Sequence, residues 1–514
     1  MESVGVSGNS LVPLQRLLSW LMTDQLRQKV SIGALPTVVL LEIFSLYVDQ
    51  HQHRHSFDIV DDASLYAWHT LVHVCQQWRQ VVFASPRSLN LRLLCTNKTP
   101  VRKLLDIWPD FPIVVSYHTS LSTPLLGVAN IVTALKCTDR VCEINLCGIP
   151  NSLLKRFVAM KDPFPALASL QLSPESGDND DGWLPFLPDS FLGGIAPRLR
   201  SLDLRGIIPV DPQKLFLSAK DLVTLRLENI PYFGYISPEE MLTWLSMLTK
   251  LEEVALGFRS SQPDLYQTSQ HPSPATFTIL SALTSLRFRG DRWYLEALIS
   301  RIGLPLLDNV DITFFCEPEF DAPLLGEFLG RIRTFEALCR ADITFYDDLV
   351  DVTLSPPDGL NDCRTLKLGI LCNRQHHQIS CLTLLCGLYL PPLRTLEHLH
   401  ISMPLPLHHY PFYMAEAYQW LEMLHPFRSM KNLHLLSEDL ALCVARALET
   451  LSDQELMDLL PSLQDIFLPG PQPSETLVIF AHLIISLRVS GRSISVHYWK
   501  EGNRVVKLHR EIDN

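Results

Sequence analysis

The strongest constraint on this chain is a repeat. From Val141 onward the pattern apolar-x-x-apolar-x-apolar keeps returning. It occurs at Val141/Ile144/Leu146, Leu167/Leu170/Leu172, Leu199/Leu202/Leu204, Leu222/Leu225/Leu227, Leu251/Val254/Leu256 and Leu283/Leu286/Phe288. Six further units follow, at Leu307/Val310/Ile312, Leu338/Ala341/Ile343, Cys363/Leu366/Leu368, Leu396/Leu399/Ile401, Met430/Leu433/Leu435 and Leu463/Ile466/Leu468. The mean spacing is about 29 residues. In each unit the last two apolar residues lie two apart, so they share one face of a short strand, while the first packs from the turn that enters it. A strand this short cannot bury its apolar face alone, so neighbouring units must stack.

Between the strands lie segments of helical spacing. In 238–248, Met241, Leu242, Leu245 and Leu248 recur at three and four, with Ser237 ahead of Pro238 as a helix start. Short strands alternating with helices predict a solenoid resembling irregular leucine-rich repeats, with parallel strands on the concave face and helices on the convex face. The intervals vary, and no Asn or Cys ladder stands at a fixed place after the strand. Polar stretches at 173–182, 260–276 and 355–362 read as loops. The side chains between the apolar positions face the concave side. Ser169, Gln171, Ser201, Asp203, Thr224, Arg226, His398 and His400 are the candidate client-facing residues, with Asp203 and Arg226 expected in solvent.

Ahead of the repeats, Leu35–Pro86 carries two strongly apolar helical segments. In the first, Pro36 fits the first helical position, and Leu40, Ile43, Phe44 and Tyr47 make one stripe, widened by Val39, Leu46 and Val48. In the second, Trp68, Leu71, Cys75 and Trp78 share a face broadened by Val74 and Val81. Asp61 or Asp62 is placed to cap its start and Ser85-Pro86 to end it. A helix apolar over so much of its circumference is either fully buried or half covered by a partner, and the small size of the head leaves room for a partner. The expected organisation is an amphipathic extension over 1–30, a helical head over 31–90 with an insertion at 49–61, and a connecting cap over 91–135. The repeat domain follows over 136–500 and a tail over 501–514. The fold class is therefore α+β overall, a small all-helical head followed by an α/β solenoid.

The head also resembles a known family. Leu35-Pro36 with Leu40, Ile43 and Phe44, then Val74-Cys75-x-x-Trp78 and Ser85-Pro86, resembles the F-box. The run from Trp68 to Arg79, with Leu89–Leu93 and Asp106–Pro109, is similar to F-box proteins abundant in basidiomycete fungi. This resemblance covers about 31–115, and it implies a module that docks on the Skp-type adaptor of cullin-based ubiquitin ligases while the repeats select a client. It implies adaptor contacts for Leu35, Pro36, Leu40, Ile43, Phe44, Val74, Cys75 and Trp78, with Trp68 in the core. Family members often carry acidic residues directly after Leu-Pro, where Thr37 and Val38 stand here, and Asp49–Asp61 is a polar insertion.

The remaining features narrow the function class. The 43 basic and 55 acidic residues give a net charge of −12, which argues against general binding to a phosphate backbone. No secretory leader or membrane span is read, since the richest late run, Leu477–Val489, holds His482 and Arg488. The cysteines sit mostly in apolar strand-like runs and read as reduced thiols, which suggests cytosol or nucleus. The histidines of HQHRH (51–55) and the sets Cys137/Cys142/Cys147 and Cys381/Cys386 lack the tight ligand pairs of a zinc site, so no metal or cofactor is expected. No phosphate-cradling, nucleophile-elbow, zinc-protease or dinucleotide motif is found, and no catalysis is expected. The expected function is a substrate-recognition adaptor of a cullin–RING ligase. The alternative is a leucine-rich-repeat scaffold not attached to a ligase.

Overall fold

The computed structural model describes residues 35–52, 67–86, 88–117, 126–175, 186–209, 212–261, 277–316, 322–332, 334–335, 338–357, 364–372, 375–389, 395–403, 416–470, 474–489, 494–500 and 504–507. The chain divides into two compact units, Met1–Cys95 with Pro100–Val114, and Thr96–Thr99 with Val115–Asn514.

In the first unit, helix α1 runs Thr37–Gln52. The Pro36 carbonyl accepts from the Val39 and Leu40 amides at 3.0 and 3.1 Å, so Pro36 stands just before the first turn and not within it. The helix also continues through the first residues of the polar insertion. Leu40, Phe44 and Val48, spaced at i, i+4 and i+8, form its buried stripe. The segment read as one second helix is two, α2 at Ala67–Val74 and α3 at Gln76–Ala84. Cys75 breaks it with an extended backbone, φ −159° and ψ 170°, and its sulfur accepts the Trp78 amide at 3.5 Å as the cap of α3. The break gives the two tryptophans different neighbours. Trp78 packs on Phe44, with ring centroids 4.7 Å apart, while Trp68 is buried against Trp108 and Phe111 at 5.1 and 5.6 Å. This aromatic cluster attaches 100–114 to the first unit, whereas the sequence reading placed that stretch in the connecting cap. Two short strands, β1 (Leu93–Thr96) and β2 (Ile113–Tyr117), flank the helix Val101–Ile107. The caps proposed at Asp61 and Asp62 lie outside the described residues, as do His53 and His55.

The second unit is built on the repeat. Its strands are β3 (Val141–Ile149), β4 (Ser169–Pro174), β5 (Phe186–Leu187), β6 (Ser201–Arg205), β7 (Ile208–Pro209), β8 (Thr224–Ile230), β9 (Glu253–Phe258), β10 (Thr278–Ile279), β11 (Ser285–Gly290), β12 (Ile302–Gly303) and β13 (Asn309–Phe315). There follow β14 (Arg340–Phe345), β15 (Leu349–Ser355), β16 (Thr365–Leu371), β17 (His398–Ser402), β18 (Asn432–Leu435), β19 (Asp465–Leu468), β20 (Ser495–Lys500) and β21 (Arg504–Lys507). Each sequence unit supplies one strand, and its paired apolar residues face the core, as with Leu170 and Leu172 or Ile466 and Leu468. Cys363 lies outside the described residues, and the three loops fall largely outside them. Helices cover the buried face. The one at Pro238–Met247 starts as its sequence indicated: the Ser237 hydroxyl accepts the Glu240 amide at 3.2 Å, and the Glu240 carboxylate accepts the Ser237 amide at 3.0 Å.

The strands do not stack in chain order throughout. They pair in parallel as β3–β4–β6–β8–β9–β11–β13. The next neighbour of β13 is β16, not β14. Then β15 pairs antiparallel with both β16 and β14, and β14 pairs in parallel with β17. The order continues β17–β18–β19–β20, closed by antiparallel β21. Two units have thus exchanged places around an inserted strand. The cause is local. The Tyr346 amide bonds the Leu349 carbonyl at 2.7 Å, so β14 turns straight into β15, and β15 then pairs antiparallel with β16. The antiparallel run returns the chain beside β13. The result is an irregular leucine-rich-repeat-like solenoid.

Candidate interaction surfaces

One face of the sheet is the helix-covered core. On the other, open face, strand register aligns the intervening side chains in rows. One row runs through Gln171, Asp203 and Arg226, then Ala255, Arg287 and Asp311. It continues through Lys367, Thr353 and Asp342, then His400, His434, Phe467 and His497. Ser169, Ser201 and Thr224 lie in the adjacent row of the same strands, as His398 does on β17. All eight candidate client-facing residues therefore occur on the open face.

Solvent access along the row is uneven. Asp203, expected in solvent, is only 5% exposed, because Arg205 covers it with two hydrogen bonds of 3.1 Å. Arg226 is also half-covered and pairs with Glu253 at 2.7 Å. Arg287 pairs with Asp311 at 3.1 Å and reaches Glu228 at 3.6 Å. Lys367 pairs at 2.9 Å with Asp351, itself 3% exposed. Burial raises the pKa of Asp351, with Lys367 opposing. Burial also works against the Lys367 charge, yet its bond to Asp351 and the fields of Asp351 and Asp311 raise its pKa overall. From β6 to β16 the charges of the open face mostly satisfy one another.

Beyond β14 the chemistry changes to rings. His400 stacks on His434 at 4.0 Å, His434 on Phe467 at 4.2 Å, and Phe467 on His497 at 4.8 Å, with interplanar angles of 23°, 3° and 16°. Carboxylates hold both ends. His400 Nδ1 lies 3.5 Å from Asp342, which Arg340 binds at 2.9 Å, and His497 Nε2 lies 2.8 Å from Asp465. Burial, then the neighbouring His400, lowers the His434 pKa to about 3, so it is neutral at pH 7. This carries a sign. Because the folded pKa lies below the unfolded value of 6.5, the unfolded chain takes the proton first. The contribution is intact at pH 7 and is lost as pH falls below 6.5 toward 3. After discounting for partial exposure it amounts to about 1 kcal/mol at pH 5. His434→Phe should therefore narrow the difference in melting temperature between pH 7.5 and pH 5. An unchanged difference would show that His434 is not the titrating group. A residual fall is expected from His69 of the first unit, lowered to about 4 by burial and His73.

The head divides its predicted adaptor-facing residues between inside and outside. Leu40 and Phe44 are 0% exposed and belong to the core, which corrects their expected place on a docking surface. Leu35, Ile43 and Trp78 are half-buried, and Pro36 and Cys75 are exposed. Val74 is 56% exposed. The outer side of α1 carries Val39 (42% exposed), half-buried Ile43 and Leu46 (46% exposed) at i, i+4 and i+7, with Val38 beside them. Val39 and Leu46 were legible only as a widening of the first stripe. A helix with apolar residues on both sides, here interrupted on the outer one by exposed Glu42, shows that two stripes exist without showing which one faces inward.

No group of three or more histidine, cysteine or acidic side chains among the described residues is placed to hold a metal ion, and no described helix is long and apolar enough to cross a membrane.

No protein-family model and no curated protein matches the chain. Among solved structures, the chain is similar to the leucine-rich repeat-containing protein LegL7 from Legionella pneumophila. That similarity has 14% identity and a TM-score of 0.26, and covers 66% of this chain and 96% of that one.

Proposed function

We propose that this chain is a two-ended protein-interaction adaptor, whose head docks on a Skp-type adaptor of a cullin–RING ubiquitin ligase and whose repeats hold a client protein. The observation that carries the reading is the outer stripe of α1. Val39, Ile43 and Leu46 stand on a helix whose other stripe already fills the core, so they are surplus to folding and suited to a partner. The F-box-like residues of the same helices give that partner its identity in this reading. The client is assigned to the open face, above all its stacked-ring end, where the rings of His434 and Phe467 stand in place of the charges that fill the row from β6 to β16. The mechanism is proximity. A separate charged conjugating enzyme delivers ubiquitin to client lysines, and this chain raises their effective concentration and makes no bonds itself. The site of action would be cytosol or nucleus.

A second reading, a scaffold with no ligase attached, is favoured by one observation: the first turn of α1 has no acidic residue. Affinity capture of the tagged full-length chain, with proteasome and neddylation blocked, separates the two. The adaptor reading predicts joint recovery of a Skp-type protein, a cullin and a client that accumulates under the block. Client recovery without the Skp-type protein or the cullin would establish the scaffold reading.

A further inference from the structure

Three cysteines converge where the strand order is exchanged. Cys316 directly follows β13, and its amide bonds the Leu371 carbonyl at the end of β16 at 2.9 Å. Cys372 directly follows β16, and its amide bonds the Asp348 carbonyl in the β14–β15 turn at 2.7 Å. Cys381 projects from the helix Gln375–Tyr389. The sulfurs of Cys316 and Cys381 are 3.9 Å apart, and Cys372 bonds the Cys381 thiol. Exposure differs among the three: Cys316 is exposed, whereas Cys372 and Cys381 are 4% and 8% exposed. Gln378, one turn before Cys381 and fully buried, fixes that helix by donating to the Tyr346 and Cys372 carbonyls, each at 3.1 Å.

We propose that Cys316 and Cys381 form a peroxide-responsive thiol pair, a covalent modification site that locks the exchanged segment of the solenoid. The exposed Cys316 reacts first. Its thiolate sulfur attacks one peroxide oxygen, the S–O bond forms as the O–O bond breaks, and the departing hydroxide takes a proton to leave as water. The Cys381 sulfur then attacks the Cys316 sulfenic sulfur. The S–S bond forms, the S–O bond breaks, and a second water leaves with the Cys381 proton. Two thiols lose two electrons in all, and one peroxide becomes two waters. The order follows from environment, because the Cys372 contact and then burial hold the Cys381 thiol far above its usual range, so that it stays protonated until an electrophilic sulfur stands beside it. The partners are 65 residues apart in sequence, and the loop they close contains β14, β15 and β16. A cross-link there restrains the unfolded chain over the segment whose pairing departs from chain order.

The test is peptide mapping of the full-length protein without reductant, after equimolar hydrogen peroxide. The expected product is one linked pair, Cys316–Cys381, retained in Cys372→Ser and absent from both Cys316→Ser and Cys381→Ser. Because Cys381 is buried and its variant can lose folding, the exposed Cys316→Ser carries the control. The melting temperature should rise by about 5 °C on oxidation, reverse with dithiothreitol, and stay unchanged in Cys316→Ser. A linked Cys372–Cys381 pair would overturn the assignment, as would Cys316 oxidised beyond sulfenic acid with Cys381 still free.

Discussion

Lys367→Met should destabilise the solenoid by about 3 kcal/mol at pH 7. Methionine keeps most of the side-chain volume, so the loss is electrostatic. It strands the Asp351 carboxylate, 3% exposed and now without the ammonium 2.9 Å away, in a neighbourhood that also holds Asp311 and Asp342. The lysine is partly open to water, which places the cost at the low end of values for a broken buried pair. The pH dependence separates this cause from lost packing. The folded pKa of Asp351 is already raised above 3.8 by burial, and removing Lys367 raises it further. For a carboxylate raised in this way, the stability deficit is present above the folded pKa and disappears as pH falls below it. The variant should recover toward wild type as pH falls from 7 toward the unperturbed carboxylate value of 3.8, and adding Asp351→Asn should restore much of the loss at pH 7. A deficit constant with pH in urea titrations would show that packing, not charge, is responsible.

The second large effect lies in the head. Phe44→Ala should cost about 3–5 kcal/mol, because Phe44 is fully buried and carries the ring of Trp78 at 4.7 Å. With a local stability of the usual size, that loss opens the first unit. Amides of α1, α2 and α3 should exchange about 100-fold faster, while those of β4 to β13 keep their protection. Unchanged exchange in the head would place Phe44 at a surface and return it to the docking set. Val39→Glu provides the contrast: the side chain is already in water, and the substitution should leave exchange unchanged.

The strands and their inward faces were legible because burial imposes a period of two, which the last two residues of a triad such as Leu167, Leu170 and Leu172 display directly. Their order was not. The spacing tells which side chains face inward, and it is the same whichever neighbour supplies the next strand. Strand β15 shows the limit, since Leu349, Val352 and Leu354 have the same spacing as the other triads, yet this strand pairs antiparallel with both neighbours. Alternation also assigns side chains to the open face, yet it cannot show that Arg205 folds over Asp203. Nor can it show that His400 and His434, 34 residues apart in sequence, stack. Those contacts depend on register between strands. The break at Cys75 went unread because cysteine is a weak acceptor and an uncommon helix cap.

The two-ended reading stands or falls on the outer stripe of α1. Calorimetric titration of the purified full-length chain with a purified Skp-type adaptor tests it directly, beside a Val39→Glu, Leu46→Glu double variant. The prediction is saturable binding by the wild type and at least about a 100-fold loss in the variant, whose melting temperature stays unchanged. No binding by the wild type, or equal affinity in both proteins, would contradict the account.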